Sequence, residues 1–294
     1  MTSDGSGADR ADRVDGADRA DRVDRVDGAD RVDGADWADR EVGRVLDPQE
    51  AAATAEQFGV QRVDVLRDHL ISHLLAVLAP RLGDRLVLFG GMALARTHLP
   101  AGRLSEDVEL FAVPSRARLV ADLERVLATG VRREYGVLVW EPAPSAVDGS
   151  TVAVLRSVAG LVVRVRLLDP AGHAPWPTEH RELVQRYSDV PAARFHVPTR
   201  AASAASTTAA WHTGGAVRDL YDLWGLARAG ALDVGAADLF ARLGPTGRRP
   251  SAELFDRAPA AADWQTQLAG QTRAAVASEE ALATVRDAWV AVAG

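Results

Sequence analysis

The stretch Leu86-Val-Leu-Phe-Gly-Gly-Met-Ala-Leu94, followed by Arg103-Leu-Ser-Glu-Asp-Val-Glu-Leu110, carries most of what the sequence says about the fold. The apolar residues 86–89 predict a β-strand, two glycines end it, and residues 92–98 predict a helix. A polar Ser-Glu-Asp then leads into a second predicted strand at 107–113. Strand, glycine turn, helix and strand in this order indicate a mixed α and β core.

Two carboxylates stand side by side on the second of these strands. Asp107 and Glu109 are two residues apart, so they project from the same face of a strand. Adjacent carboxylates repel each other and are costly unless a cation lies between them. Mg²⁺ accepts one or two carboxylates together with phosphate oxygens, and the N–H groups of a Gly90-Gly91 turn can bind phosphate. The layout suits nucleotidyl transfer; a solvated acidic strand end is the alternative.

Two motifs in this chain resemble those of a known family. The first is Gly90-Gly91 with Arg103-x-Ser105-x-Asp107-x-Glu109, and the second, more than a hundred residues later, is Arg218-Asp219-Leu220-Tyr221-Asp222-Leu223. Together they are similar to the AbiEii/AbiGii nucleotidyltransferase toxins (MenT-like), within the nucleotidyltransferase superfamily. The resemblance covers roughly residues 45–235.

The resemblance implies an α+β fold, in which a nucleotidyltransferase-like mixed sheet with helices is followed by an all-helical C-terminal lobe. We predict a disordered Asp/Arg repeat tail at 1–44, a core at 45–196 and the helical lobe at 197–294, with the nucleotide in the cleft between lobes. The implied enzyme is the toxin of a toxin–antitoxin pair. It transfers a nucleotide from an NTP to RNA, at the tRNA 3′ end, with Mg²⁺ (or Mn²⁺), and its other partner is a cognate antitoxin protein.

The resemblance also assigns site residues. The catalytic residues are Asp107, Glu109 and Asp219, the first two also being metal ligands, and the nucleotide-binding residues are Gly90, Gly91, Arg103, Ser105 and Arg218. Some of these have simpler explanations that stay open. Ser105 can be a turn residue, Arg103 can only hold its loop, and Asp219 can simply favour a helix N-terminus.

Four positions depart from the family pattern. They are Met92 in place of a hydroxyl residue, Glu109 in place of Asp, Thr207 or Thr208 near an expected lysine, and Arg166 near an expected acidic residue. All 34 basic residues are arginines, and arginine does not replace lysine in geometry. Two rival functions therefore remain. One is a catalytically degenerate member that binds nucleotide or a partner, and the other is a nucleotidyltransferase that modifies protein.

Composition bounds the class of protein. The 294 residues are 47% hydrophobic, and without cysteine the chain has neither disulfides nor thiolate metal sites. No apolar run reaches the roughly 18 residues of a membrane span, so we expect a cytoplasmic protein without membrane contact. Residues 1–40 hold 12 Asp and 7 Arg of a chain with net charge −7. The remainder is nearly neutral and can carry basic patches for RNA, for which Arg132-Arg133 and Arg248-Arg249 are candidates.

Periodicity predicts the other elements. Residues 48–79 predict one helix that Pro80 ends, with His69 and His73 on it as surface residues rather than metal ligands. Alternation places Arg164 and Arg166 on one strand face, either against nucleic acid or on the solvated side of a sheet. The further predictions are helices at 115–128, 199–213, 215–229, 235–243, 251–257 and 260–292, strands at 135–141, 151–158 and 161–168, and a loop at 170–196.

Overall fold

A computed structural model describes residues 46–149 and 151–293. Its strands are β1 Leu86–Phe89, β2 Asp107–Ala112, β3 Val139–Trp140, β4 Ala153–Arg156, β5 Val162–Leu168, β6 Thr178–Glu182 and β7 Arg194–Pro198. They form one seven-stranded sheet in the order β3-β4-β5-β2-β1-β7-β6. β2 pairs with β5 and β1 with β7 in parallel, and the other neighbours are antiparallel. The mixed sheet confirms the predicted fold class.

The helices of the described residues fall into two groups. Those that accompany the sheet are α1 Pro48–Phe58, α2 Arg62–Leu82, α3 Gly90–Arg96, α4 Val120–Thr129 and the short α5 Arg132–Tyr135. Those that follow it are α6 Arg200–Gly214, α7 Val217–Arg228, α8 Val234–Leu243, α9 Ala261–Leu268 and α10 Ser278–Ala293. Side-chain caps fix several of these starts, because Asp47, Thr199 and Asp233 accept hydrogen bonds from the first-turn N–H groups of α1, α6 and α8. The C-terminal helical lobe is thus present, whereas the exact domain boundaries stay a prediction.

Alternation along the central strands decides which face of the sheet is buried. On β2, Val108, Leu110 and Ala112 are buried, while Asp107 and Glu109 point to the opposite side. The same alternation on β5 buries Val163, Val165 and Leu167 and leaves Arg164 and Arg166 on the other face. The apolar face packs with α2 and α4 into one hydrophobic core. The polar residues are therefore left together on the opposite face.

Helix α3 joins the two hydrophobic cores. Met92 and Ala93 belong to the core beneath the sheet, whereas Leu94 belongs to the core of the helical lobe. The large apolar residues of that second core include the fully buried Phe255 and Trp289. Because α3 follows directly on β1, the two glycines that begin α3 lie where the two lobes meet.

A buried ion pair links the lobes beside this turn. Nε and Nη2 of Arg103, from the loop before β2, donate to the two carboxylate oxygens of Asp222 on α7 at 2.8 and 2.7 Å. Nη1 of Arg103 donates to Gln271 at 2.8 Å. All three residues are buried, so the guanidinium is desolvated and its charge is balanced chiefly by Asp222.

Several predicted elements need correction. The helix predicted at 48–79 is two helices, because the chain takes a left-handed conformation at Gly59, with φ of 66°. Pro80 does not end the second helix, which continues to Leu82. His69 and His73 are not surface residues, since both are buried. Asp189, which is distant in sequence, contacts both imidazoles and so allows them to be buried.

The predicted 135–141 strand and 170–196 loop were also wrong in part. Residues 132–135 form α5, and only the two-residue β3 follows it. The segment 170–196 contains β6 and the start of β7, which pair with each other at the sheet edge. The helix predicted at 260–292 is broken into α9 and α10, and residues 252–255 form a 3₁₀ turn. The repeat tail predicted at 1–44 lies outside the described residues.

In the described part of the chain, none of the helices combines the length and apolar character needed to cross a bilayer.

Replacing Asp222 with Asn should destabilise the fold strongly, since it leaves the Arg103 guanidinium buried without a counter-charge. We expect a loss of about 3–5 kcal/mol in the free energy of unfolding, measured by urea denaturation with tryptophan fluorescence. Asp238→Asn is the matched control, because Asp238 also binds an arginine, Arg249, but at the surface. Its loss should stay within about 1 kcal/mol. Equal losses in the two variants would contradict a structural role for the buried pair.

Candidate active site

A small cavity lies between the polar face of the sheet and the helical lobe. Its volume is about 110 Å³. From the sheet side it is lined by Phe89, Gly90, Gly91, Leu94, Glu109 and Pro198, and from the helical side by Ser203, Ser206, Thr207, Ala210, Asp219 and Asp222. The two motifs that lie more than a hundred residues apart in sequence therefore meet at one cavity.

Sheet register supplies each strand carboxylate with an arginine. In the parallel pairing of β2 with β5, Asp107 lies opposite Arg164 and Glu109 opposite Arg166. Nε of Arg164 donates to Oδ1 of Asp107 at 2.7 Å, and Nη1 of Arg166 donates to Oε1 of Glu109 at 2.7 Å. Cross-strand pairs of opposite charge stabilise a sheet. The cation that two neighbouring carboxylates require is therefore provided here by guanidinium groups.

The two glycines permit close approaches that a side chain would prevent. Gly90 has φ of 66°, and a Cβ atom there would collide with Oε2 of Glu109. A Cβ atom on Gly91 would collide with Nη2 of Arg103. The Gly-Gly turn therefore lets the backbone lie directly against one site carboxylate and against the ion pair that links the lobes.

The predicted site residues Arg103, Ser105, Asp107 and Arg218 are not among those that line the cavity. The buried Ser105 donates its hydroxyl to the backbone oxygen of Asp107 at 3.4 Å, which fits the turn role. Arg103 binds Asp222 and Gln271, which favours the loop-holding role over phosphate binding. Nη1 of Arg218, on α7, lies 3.6 Å from Oδ2 of Asp107 and so reaches the sheet from the helical lobe. The assignment of these residues to nucleotide binding stays a prediction.

Two carboxylates of the cavity, Asp219 and Glu109, have a raised pKa. The pKa of Asp219 is raised to about 7, first by burial and then by the neighbouring Asp222 carboxylate, against the opposing charges of Arg103 and Arg218. Burial also raises the pKa of Glu109, although the Arg166 guanidinium opposes this shift. Near neutral pH, Asp219 is therefore poised between its protonated and ionised forms.

Apart from Thr207, the sequence analysis missed the wall of the cavity that α6 provides. Ser203, Ser206, Thr207 and Ala210 follow the spacing i, i+3, i+4, i+7, so they share one face of α6. This run of small and hydroxyl residues was a readable signal. The structure also distinguishes the two positions near the expected lysine. Thr207 faces the cavity, whereas Thr208 is buried and donates its hydroxyl to the backbone oxygen of Ala204.

A second missed feature is the carboxylate of Glu106. It accepts from Arg67 of α2 at 2.9 Å and from Arg164 of β5 at 3.1 Å. The loop before β2 is thus fixed to two other elements. Neither partner is near Glu106 in sequence, which is why the spacing of the motif gave no indication of them.

The residues present fit a divalent cation bound together with a triphosphate. Arg164 and Arg166 each hydrogen-bond one oxygen of a strand carboxylate, and the second oxygens are Oε2 of Glu109 and Oδ2 of Asp107, the latter in a longer 3.6 Å contact with Arg218. Two carboxylate oxygens on one strand face are a donor set that Mg²⁺ accepts when phosphates complete its shell. Nε of Arg166 is buried with no hydrogen-bond partner among the described residues, which is costly unless an acceptor is bound.

Comparisons with known proteins show the family and the fold. The family model described as nucleotidyl transferase AbiEii toxin, type IV TA system, matches residues 73–289. No curated protein gives a significant match. Among solved structures, the fold is similar to MenT4, a nucleotidyltransferase toxin from Mycobacterium tuberculosis H37Rv, with a TM-score of 0.62 and 22% identity over 86% of this chain and 87% of that one. A putative nucleotidyltransferase from H. pylori matches at 14% identity over 77% of this chain and 93% of its own, with a TM-score of 0.46.

Replacing Asp219 with Asn should stabilise the protein at high pH. A raised folded-state pKa means that folding takes up a proton between about pH 4 and pH 7, so the stability contributed by Asp219 is complete below the unfolded pKa and is lost as pH rises to about 7. Relative to the wild type, we expect the variant to gain about 2–3 kcal/mol more at pH 8 than at pH 5, measured by urea denaturation at both values. A difference that does not change with pH would contradict the assigned proton affinity. Asp122→Asn, at an exposed site on α4, is the control.

Proposed function

We propose that this chain, which belongs to the AbiEii family of nucleotidyltransferase toxins of type IV toxin–antitoxin systems, transfers a nucleotide from an NTP to the 3′ end of tRNA. The observation that carries the proposal is the meeting of Gly90, Gly91 and Glu109 from the sheet with Asp219 from the helical lobe at one cavity. A nucleotidyltransferase must hold a triphosphate on one side and a nucleophile on the other, and two facing lobes offer both sides.

The proposed step is an in-line displacement at the α-phosphorus. A ribose hydroxyl oxygen of the RNA end bonds to that phosphorus, and the bond from phosphorus to the bridging oxygen of pyrophosphate breaks. The hydroxyl proton passes to Asp219, whose pKa of about 7 suits a general base at neutral pH. Arg166 and Arg218 lie beside the strand carboxylates, where they oppose the negative charge of the transition state.

Mg²⁺ (or Mn²⁺), arriving with the NTP, would neutralise the triphosphate and favour departure of pyrophosphate. Glu109 would hold it through Oε2, and Asp107 would hold it through Oδ2 once Arg218, 3.6 Å away, turns from that oxygen to the triphosphate. Ser105 lies next to this pair and positions the backbone of Asp107. The backbone N–H groups of the Gly90-Gly91 turn would bind the phosphates.

Two exposed arginine pairs are the proposed contacts for RNA phosphates. Arg132-Arg133 lies on α5, and Arg248-Arg249 precedes residues 252–255. Arg249 is partly neutralised by Asp238, so Arg132-Arg133 is the stronger candidate. A protein antitoxin is the further partner that a toxin of this type implies. The cytoplasmic location stays a prediction of the sequence.

The direct test is incubation of purified protein with Mg²⁺, each α-³²P-labelled NTP in turn, and total tRNA. We expect label on tRNA, and we expect Asp107→Asn to lose it at least about 100-fold because a strand carboxylate is removed without changing side-chain volume. Asp122→Asn should retain it. Full activity in Asp107→Asn would make the assignment of this residue wrong. Label on protein instead of RNA would mean that the acceptor is protein.

A second test concerns the lysine that the family pattern contains and this chain does not. Thr207→Lys adds a cation to the cavity wall, so we expect faster transfer by about 10-fold if charge on the triphosphate limits the rate. Ala210→Lys places the same charge on the same face of α6 about one turn later and serves as the control. An equal effect in both variants would mean that a positive charge anywhere on this face of α6 speeds transfer, so that position 207 has no specific role.

One observation favours a second function, that of a nucleotide-binding member without turnover. Both strand carboxylates already bind arginines, so their negative charge is largely balanced without a metal ion. In that case the labelling experiment gives no labelled RNA or protein, while NTP binding remains measurable by calorimetry and is insensitive to Mg²⁺. Transfer that needs Mg²⁺ would exclude this second function.

A further inference from the structure

A cluster of two histidines and one aspartate lies apart from the residues that line the cavity. His69 and His73 stand four residues apart on α2, so both project from one face of the helix. Both are buried. Their third partner is Asp189, on the 183–193 segment between β6 and β7, more than a hundred residues later in the chain. The cluster therefore exists only in the folded protein.

The three side chains converge through atoms that can bind a metal. Nε2 of His69 lies 3.1 and 3.2 Å from the two carboxylate oxygens of Asp189, and Nε2 of His73 lies 3.3 Å from one of them. The ligand atoms of all three residues lie within 4.8 Å of one another. In a tetrahedral zinc site with bonds of about 2.0–2.1 Å, ligand atoms are separated by about 3.3 Å. The spacing therefore matches an edge of such a site.

The surroundings of His69 suit a ligand imidazole. Its other nitrogen, Nδ1, lies 2.5 Å from the hydroxyl of Tyr135, and an oxygen partner on the second ring nitrogen orients metal-bound histidines. Burial lowers the pKa of His69, although Asp189 opposes this shift. A lowered pKa favours the neutral imidazole, which is the form that binds metal.

Asp189 is the carboxylate that contacts both imidazoles. The nearby Asp68 is committed elsewhere, because it binds Arg96 at 2.8 Å, Arg186 at 3.1 Å and the hydroxyl of Tyr187 at 2.9 Å. Asp189 itself has a side chain that is 36% exposed. One side of the cluster is therefore open to solvent, where water can supply a fourth ligand.

We propose that His69, His73 and Asp189 form a binding site for a divalent transition metal of the zinc class. Two imidazole nitrogens and one carboxylate oxygen suit Zn²⁺, and also Co²⁺ or Ni²⁺, better than Mg²⁺. On binding, each neutral imidazole would carry its proton on Nδ1, which frees Nε2 for the metal, and Asp189 would supply a carboxylate oxygen. It would join α2 to the segment between β6 and β7 and stabilise the fold by binding only the native state.

The test uses the full chain, freed of metal with a chelator. Zn²⁺ is titrated in by calorimetry, Co²⁺ is followed by its visible absorption, and the melting temperature is measured with and without Zn²⁺. We expect one equivalent to bind, the Co²⁺ complex to show the intense absorption of tetrahedral coordination, and the melting temperature to rise. His73→Gln and Asp189→Asn should each bind at least about 10-fold more weakly.

Two controls separate this site from others in the described chain. His180→Gln removes a histidine of the more exposed group formed with Asp84 and His196, and Asp107→Asn alters the strand carboxylates of the cavity. Both should bind Zn²⁺ as the wild type does. Because Asp189 lies on an exposed segment, Asp189→Asn tests the site even where His73→Gln fails to fold. The proposal is overturned if the wild type binds no Zn²⁺, if Asp189→Asn binds it unchanged, or if only a control variant loses it.

Discussion

The buried ion pair between Arg103 and Asp222 is the contact on which the geometry of the cavity depends. It joins the loop before β2 to α7, and thereby the two motifs that contribute to the site. A desolvated guanidinium bound by two parallel hydrogen bonds has little freedom to move, so the pair fixes distance as well as orientation. Gly91 is part of the same arrangement, because only a residue without Cβ lets the turn pass against the guanidinium. The raised proton affinity of Asp219 also follows in part, since a second buried carboxylate stands one helical turn away.

Arginine supplies the positive charge beside the strand carboxylates. Arg164 and Arg166 bind the strand carboxylates in register, and Arg218 approaches Asp107 from the helical lobe. These charges balance the carboxylates before any ligand arrives. An NTP bound as we propose would meet arginines already fixed beside the strand carboxylates, which would lower the cost of reorganisation on binding. The same balance of charge is the observation that favours the second function, nucleotide binding without turnover.

The helix α2 has a second polar face that is unrelated to the cavity. Asp68 binds Arg96, Arg186 and Tyr187, and one residue later His69 begins the cluster with Asp189. Both groups of contacts fix the segment between β6 and β7 against the helix. Such contacts explain why a polar, proline-containing segment is well structured: its order derives from buried charges on a distant helix rather than from local propensity.

The sequence by itself determined the central elements and the residues that could take part in chemistry. Strand 86–89, the glycine turn and the carboxylates at 107 and 109 were predictable, because alternation and glycine conformation are local properties. The family resemblance added the mixed sheet and the helical lobe. Only the tertiary structure decided that Arg164 and Arg166 face those carboxylates, that Arg103 binds Asp222, and that His69 meets Asp189. Each of these depends on strand register or on packing between distant segments, and neither is encoded in the spacing of neighbouring residues.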